Sequence, residues 1–241
     1  MDQRAPSPSL SDVVADVVVA NRILARQGVV DGFGHVSARH PCDSGKFLLS
    51  RSRAPELVEA ADIMVFDLDC HAQGGDARTG YLERYIHGEI YKARPDVHAV
   101  VHSHSPSVIP FAASSVRLRP IYHMSGFLCG ETRVFDIRHA FGCTDMLVRN
   151  REHGAALAAE LGDRGVVLMR GHGFVACGLS IPVAVYRAIY TEQNASLQQR
   201  AITLGGEVTY LDDDEARLAE ATNRGVVGRP WELWKRQVQG G

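Results

Sequence analysis

Between Leu10 and Gln27 the apolar residues Val13, Val17, Ala20, Ile23 and Leu24 recur at the three- and four-residue spacing of one helix face, and Gly28 follows where a C-terminal cap belongs. Short apolar runs bounded by turn residues then predict strands at Phe47–Leu49, Ile63–Phe66 and Val97–Val101, the last so uniformly apolar that both of its faces are expected to be buried. Between the last two strands, Leu82, Tyr85, Ile86 and Ile90 predict a helix over 81–93 that must stop before Pro95. Further on, Thr144 precedes an expected helix ending at Leu161 and Gly162, and strands are expected at Val166–Met169 and Phe174–Cys177 around Gly171-His172-Gly173. Ser180 and Pro182 open a long helix reaching about Leu204, and a strand at Val208–Leu211 and a helix at Asp213–Ala221 complete the pattern. Strands alternating with helices, without repeat or composition break, predict one α/β domain over residues 10–241. Its central mixed or antiparallel sheet should carry helices on both faces. Residues 1–9 are expected to be a flexible tail, and the last dozen residues loose or docked on a neighbour.

Composition narrows the field. The 241 residues are 45% apolar, enough for a full core, and the net charge of −2 comes without any run of like charges, which argues against nucleic-acid or anionic-membrane partners. Five cysteines, widely spaced and never in a C-x-x-C pair, suggest neither a disulfide framework nor a thiolate zinc site, and fit a reducing cytoplasm. No apolar stretch is long enough to span a membrane, and the first nine residues lack the apolar centre of a signal peptide.

The candidate chemistry lies in histidines. His102-Ser103-His104 follows the buried run, and positions two apart on an extended chain put both imidazoles on one side, within reach of one ion. With 11 histidines in the chain an H-x-H pair arises by chance about 0.5 times, so the pair alone is weak. His172 adds to it, because flanking glycines strip away neighbouring side chains and project one imidazole from bare backbone. Three imidazoles from two strand ends leave open positions on an ion, the pattern of a catalytic site. Glu83 stands near the start of the helix before the H-x-H strand, with His87 at i+4 on the same face.

Four ordered elements resemble the class II aldolase/adducin family. Gly34-His35-Val36-Ser37-Ala38-Arg39 is similar to the family's G-N-[VI]-S-x-R segment, and Glu83, His87 and Tyr91 match an E-x-x-x-H-x-x-x-Y helix. His102-x-His104 and Gly171-His172-Gly173 follow. The resemblance spans roughly Ser11 to Leu211. It implies that His102, His104 and His172 bind one divalent ion, Zn²⁺ or another, that Glu83 shuttles protons, and that the assembly is a homotetramer with sites between subunits.

The departures bear on substrate. The family's sugar-phosphate aldolases carry a T-P-S-G-like loop and an S-S-E sequence that bind phosphate. Here the corresponding segments read Leu49-Ser50-Arg51-Ser52-Arg53-Ala54-Pro55 and Gly80-Tyr81-Leu82-Glu83. Arginines flanked by serines suit carboxylates, so Ser50, Arg51, Ser52 and Arg53 are candidate substrate-binding residues, although a solvent-facing basic turn has the same composition. His35 in place of the usual asparagine, and His123 within Tyr122-His123-Met124-Ser125-Gly126-Phe127, complete a likeness to a decarboxylase branch acting on hydroxylated pyridine dicarboxylates and dihydroxyphthalates. The expected activity is thus a metal-dependent carboxy-lyase of aromatic catabolism using Mn²⁺ or Zn²⁺, with Co²⁺ also suited to three imidazoles. An aldolase acting on a small hydroxy-carbonyl or sugar-phosphate substrate is the alternative, and a non-catalytic adducin-like scaffold a third reading that the metal triad opposes. Arg229, Trp231 and Trp234 are expected to offer groups that cover a neighbour's pocket.

Overall fold

The computed structural model describes residues 8–130 and 132–240, so the expected tail lies outside the described residues up to position 7. Ser9 does not belong to such a tail. Its hydroxyl accepts the Asp12 N–H and Asp12 accepts the Ser9 N–H, a capping box that starts helix α1 (Leu10–Arg26). The chain continues through β1 (His35–Arg39), β2 (Lys46–Ser50), β3 (Ile63–Asp67), α2 (Arg84–Ala93), β4 (Ala99–Ser103) and α3 (Ile109–Ala113). After β5 (Val134–Phe135) come α4 (Ile137–Phe141), α5 (Arg151–Leu161), β6 (Val166–Met169), β7 (Gly173–Gly178), α6 (Ile181–Thr203), α7 (Asp213–Val226) and α8 (Gly228–Gln239). The seven strands form one mixed sheet in the order β3-β2-β1-β4-β7-β6-β5, antiparallel throughout except for the β5–β6 pair.

Period-two alternation sorts the sheet into two apolar layers. Ala99 and Val101 of β4 join Val36, Ala38 and Leu48 under α1 and α6, while Val100 joins Phe47, Leu49 and Val175 under α2 and α5. The same parity sends His102 to the α2 face and turns the Ser103 hydroxyl the other way, to the Val29 carbonyl.

Five features differ from the pattern read in the sequence. Helix α2 starts at Arg84, because Tyr81 is tied to the Arg53 carbonyl and Glu83 takes the N-cap position without capping its own helix. Helix α5 starts after Asn150, whose side chain accepts the His153 N–H; residues 144–149 instead form turns closed by Thr144 and Asp145. Residues 208–211 form no strand, since their one backbone bond outside helices and strands runs from Leu211 to Pro120. Strands β1 and β5 and the short helices between Ile109 and Phe141 were not anticipated; β1 alternates polar and apolar residues, with only Val36 and Ala38 on its apolar face. Finally, α8 is an amphipathic helix packed on this chain's own α1 and α6. Trp231 and Trp234 are buried in its core, so the two tryptophans do not cover a neighbour's pocket.

Candidate metal centre

Strand β4 and the turn before β7 bring His102, His104 and His172 together, and α2 adds Glu83. One donor atom from each of the four lies within 4.8 Å of every other. Two glycines permit this convergence. A Cβ on Gly173, whose φ is +155°, would stand 2.0 Å from the Ser103 carbonyl oxygen, and one on Gly34 would stand 2.9 Å from the His102 carbonyl oxygen. The end of β4 is therefore flanked by bare backbone on both sides, which lets β7 and the segment before β1 close on it.

Hydrogen bonding fixes the histidine tautomers. His102 Nδ1 lies 3.1 Å from the Phe174 carbonyl oxygen and His172 Nδ1 lies 3.1 Å from that of Met146. A carbonyl only accepts, so each Nδ1 carries the proton and each Nε2 turns a lone pair inward. His104 Nε2 meets those two nitrogens at 3.1 and 3.0 Å. A single Nε2–H on His104 can donate to only one of the two, so a cation between the three nitrogens is what satisfies them all. Glu83 Oε2, 3.4 Å from both His102 and His172 Nε2, adds negative charge to the same point. Burial alone would raise the Glu83 carboxyl, but when no ion is bound a proton taken up on His102 or His172 Nε2 pairs with Glu83, and these histidines hold it well below the usual carboxylate range. Burial together with His102 and His172 lowers His104 to about 4, whereas Glu83 raises His172 against its burial. An anionic centre of nitrogen lone pairs and carboxylate oxygen, with oriented second partners, fits a divalent ion.

Turns at 144–149, expected to be helical, contribute directly. They bring the Met146 carbonyl to His172, and the Val148 N–H donates to Glu83 Oε1 at 3.0 Å, which leaves Oε2 facing the histidines.

A cavity of about 520 Å³ opens beside the centre, lined by His35, Ser52, Arg53, Tyr81, Glu83 and His104 among polar residues and by Phe33, Leu82 and Leu147 among apolar ones. Of the expected substrate-binding residues, His35, Ser52 and Arg53 thus reach it. Ser50 and Arg51 do not line it: Ser50 is buried and bonds the Arg51 carbonyl, and Arg51 is drawn to a residue the sequence reading missed. That residue is Asp62, 4% exposed, which accepts Arg51 Nε at 2.6 Å and Arg53 Nη1 at 2.5 Å. Asp62 thus holds both guanidiniums, and of the two only Arg53 is carried to the cavity wall. Glu59 is 3.9 Å from Arg53 but solvent-exposed. No local pattern marks Asp62, because its partners lie 9 and 11 residues back across a strand register.

His123 stands apart. It lines a separate cavity of about 310 Å³ with Tyr186, Tyr190, Asn223 and Arg229, so this chain does not bring it to its own histidine cluster.

Residues 15–199 match the Class II Aldolase and Adducin N-terminal domain, and the chain belongs to the class II aldolase/adducin family. It is 42% identical to decarboxylase tropJ of Talaromyces stipitatus, covering 91% of each chain. It is 34% identical to a 3,4-dihydroxyphthalate decarboxylase of Arthrobacter keyseri, covering 92% of this chain and 91% of the relative. Among solved structures, an aldolase II superfamily protein from Pseudomonas syringae superposes with a TM-score of 0.80 at 24% identity over 97% of this chain and 94% of the other. An L-fuculose 1-phosphate aldolase from Glaciozyma antarctica gives 0.79 at 22% identity, over 98% and 95%. Decarboxylases among the relatives support a lyase, while the structural likenesses establish the fold.

Proposed function

We propose that the protein is a divalent-metal-dependent carboxy-lyase acting on a hydroxylated aromatic or pyridine (di)carboxylate, with His102, His104 and His172 as metal ligands and Glu83 as the proton-handling group. The observation that carries the reading is the convergence of three imidazole nitrogens and one carboxylate oxygen within 4.8 Å beside a cavity lined by Arg53. Zn²⁺, Mn²⁺ and Co²⁺ all suit three imidazoles. Such an ion supplies Lewis-acid polarisation of the substrate's phenolic and carboxylate oxygens.

The chain's own groups then have defined tasks. Arg53, of which only Nη1 is engaged among the described residues, grips a carboxylate that stays on the ring. Phe33, Leu82 and Leu147 pack the ring and exclude water. Glu83, held ionised, takes the phenolic proton and returns it to the ring carbon from which carbon dioxide departs. The electron pair of the broken carbon–carbon bond stays with the ring and forms the new carbon–hydrogen bond. The net change is loss of carbon dioxide, with Glu83 ionised again at the end.

His123 and Arg229, remote from this chain's own centre, are assigned to a neighbouring copy's site in a homotetramer. A reducing cytoplasm suits the five cysteines, all of them free. The protein loaded with Mn²⁺ or Zn²⁺ is to be screened on hydroxylated phthalates and pyridine dicarboxylates beside fuculose and rhamnulose phosphates, with carbon dioxide and aldehyde both monitored. Carbon dioxide from the first group supports the reading. Aldehyde from the second without carbon dioxide makes the protein an aldolase.

A further inference from the structure

Beneath the cavity runs a line of buried polar groups that the reaction just described does not use. His35 Nδ1 lies 2.6 Å from His87 Nε2, His87 Nδ1 lies 2.6 Å from Ser37 Oγ, and Ser37 Oγ lies 2.7 Å from the Tyr91 hydroxyl. His35, His87, Ser37 and Tyr91 are each at most 4% exposed. Strand parity makes the line possible, since His35 and Ser37 share the face of β1 that looks at α2, and His87 and Tyr91 are one turn apart on α2.

The line has a direction. The Tyr91 oxygen also accepts the Val100 N–H, and a backbone N–H cannot take a proton, so the phenolic proton goes to Ser37 Oγ. A serine hydroxyl that accepts from Tyr91 gives its own proton to His87 Nδ1. His87 is then protonated at Nε2 and donates to His35 Nδ1, leaving the proton of His35 on Nε2. Burial keeps His87 neutral by lowering it to about 3, and keeps the Tyr91 phenol protonated, as the direction requires. His35 lines the cavity between the metal centre and Arg53. Its ring centroid is 5.1 Å from that of His102 and 4.6 Å from that of Tyr81, the residue bonded to the Arg53 carbonyl.

We propose that Tyr91, Ser37 and His87 are positioning residues that fix His35 as the Nε2–H tautomer, a neutral hydrogen-bond donor to a carboxylate oxygen of the substrate. The inference rests on the carboxy-lyase reading for its ligand but not for its tautomer. A neutral donor selects carboxylate against a cationic group without adding a second full charge beside the ion, and desolvating it costs less than burying an imidazolium.

Nitrogen-15 NMR of histidine-labelled, Zn²⁺-loaded protein tests this, with the His35 signals assigned by their loss in His35→Asn. The expected spectrum shows His35 protonated at Nε2, and addition of phthalate, which lacks the hydroxyl needed for turnover, shifts that N–H proton downfield. His87→Leu should give a mixture of His35 tautomers and weaken phthalate binding about tenfold. His87→Gln, which can accept from Ser37 and donate to His35, should restore both. His35 protonated at Nδ1 in the unaltered protein overturns the proposal, a result that needs no variant to fold. An Nε2–H signal indifferent to phthalate overturns the donation to carboxylate. Neither outcome depends on catalysis, so failure of the carboxy-lyase reading is read separately, from the absence of carbon dioxide release.

Discussion

Glu83 occupies a helix N-cap position yet accepts nothing from its own helix; its two oxygens go to Val148 N–H and to the histidine pair. That diversion suits the proton-handling role proposed for Glu83, and Glu83→Gln is expected to keep metal and fold while lowering kcat at least 100-fold, since an amide cannot exchange a proton at neutral pH. Steady-state kinetics beside metal analysis check it, and full activity removes Glu83 from the mechanism. His102→Ala, His104→Ala and His172→Ala should each drop the metal content from about one ion per chain, as measured by elemental analysis. Retention of metal in all three contradicts the assigned ligands. At this scale the imidazoles and Glu83 were legible because motif order survives in sequence. Asp62 was not, because what makes it matter is a strand pairing that places it against Arg51 and Arg53. Ser50 and Arg51 show the converse: their residue types suit carboxylate binding, but burial and the pull of Asp62 take them away from the cavity.

Among the elements, α2 carries both Glu83 and the His87–Tyr91 pair, so its position sets the centre and the polar line together. It is held by α5, which approaches closely because residue 154 is glycine. A Cβ there would stand 2.5 Å from the Tyr85 carbonyl oxygen and 2.9 Å from Glu89 Cγ. Gly154→Ala should therefore push α5 away from α2 and cost about 1–3 kcal/mol in urea unfolding. It should also lower activity by displacing Glu83, and an unchanged urea midpoint would contradict the packing described. Helix α1, with its apolar stripe, and the long α6, with its Ser180 cap and Pro182 in the first turn, were readable almost to the residue. The start of α5 differs for a physical reason: Thr144 and Asn150 are both capping residues, Asn150 is the better cap, and contacts at Met146 and Val148 hold the intervening segment out of the helix. Strand β1 escaped because His35, Ser37 and Arg39 give it a polar face that looks like surface until α2 is seen to cover it.

For the whole molecule, burial of neutral histidine ties stability to pH. His87 is lowered to about 3 from an ordinary value of 6.5, so below about pH 6.5 the unfolded chain takes up a proton that the folded chain refuses. Its contribution is complete above 6.5 and is lost as the pH falls toward 3. Asp62 acts in a lower window. Burial would raise it, but the Glu59 N–H and the two arginines bring it to about 2 from 3.8, so its share is present above about pH 4 and lost toward 2. The urea midpoint of metal-free protein should hold from pH 8 to 7 and fall between 6.5 and 5, less steeply in His87→Gln. A flat midpoint across that range contradicts the neutral burial of His87. The class of the fold and its one-domain extent were legible from the alternation of strands and helices. The docking of α8 was not, since Trp231 and Trp234 show their partner only when α1 and α6 are in place.

The central claim is that a ring hydroxyl and its neighbouring carboxylate are engaged together at the histidine centre. Carbon dioxide release by Mn²⁺-loaded protein, compared in one assay between a dihydroxyphthalate, its analogue lacking the hydroxyl ortho to the lost carboxylate, and its analogue lacking the remote carboxylate, tests it most directly. Steady release is expected from the first, none from the second, and from the third a turnover that survives with a raised KM. Equal release with and without the hydroxyl, or none from any of the three by fully metal-loaded protein, would contradict it.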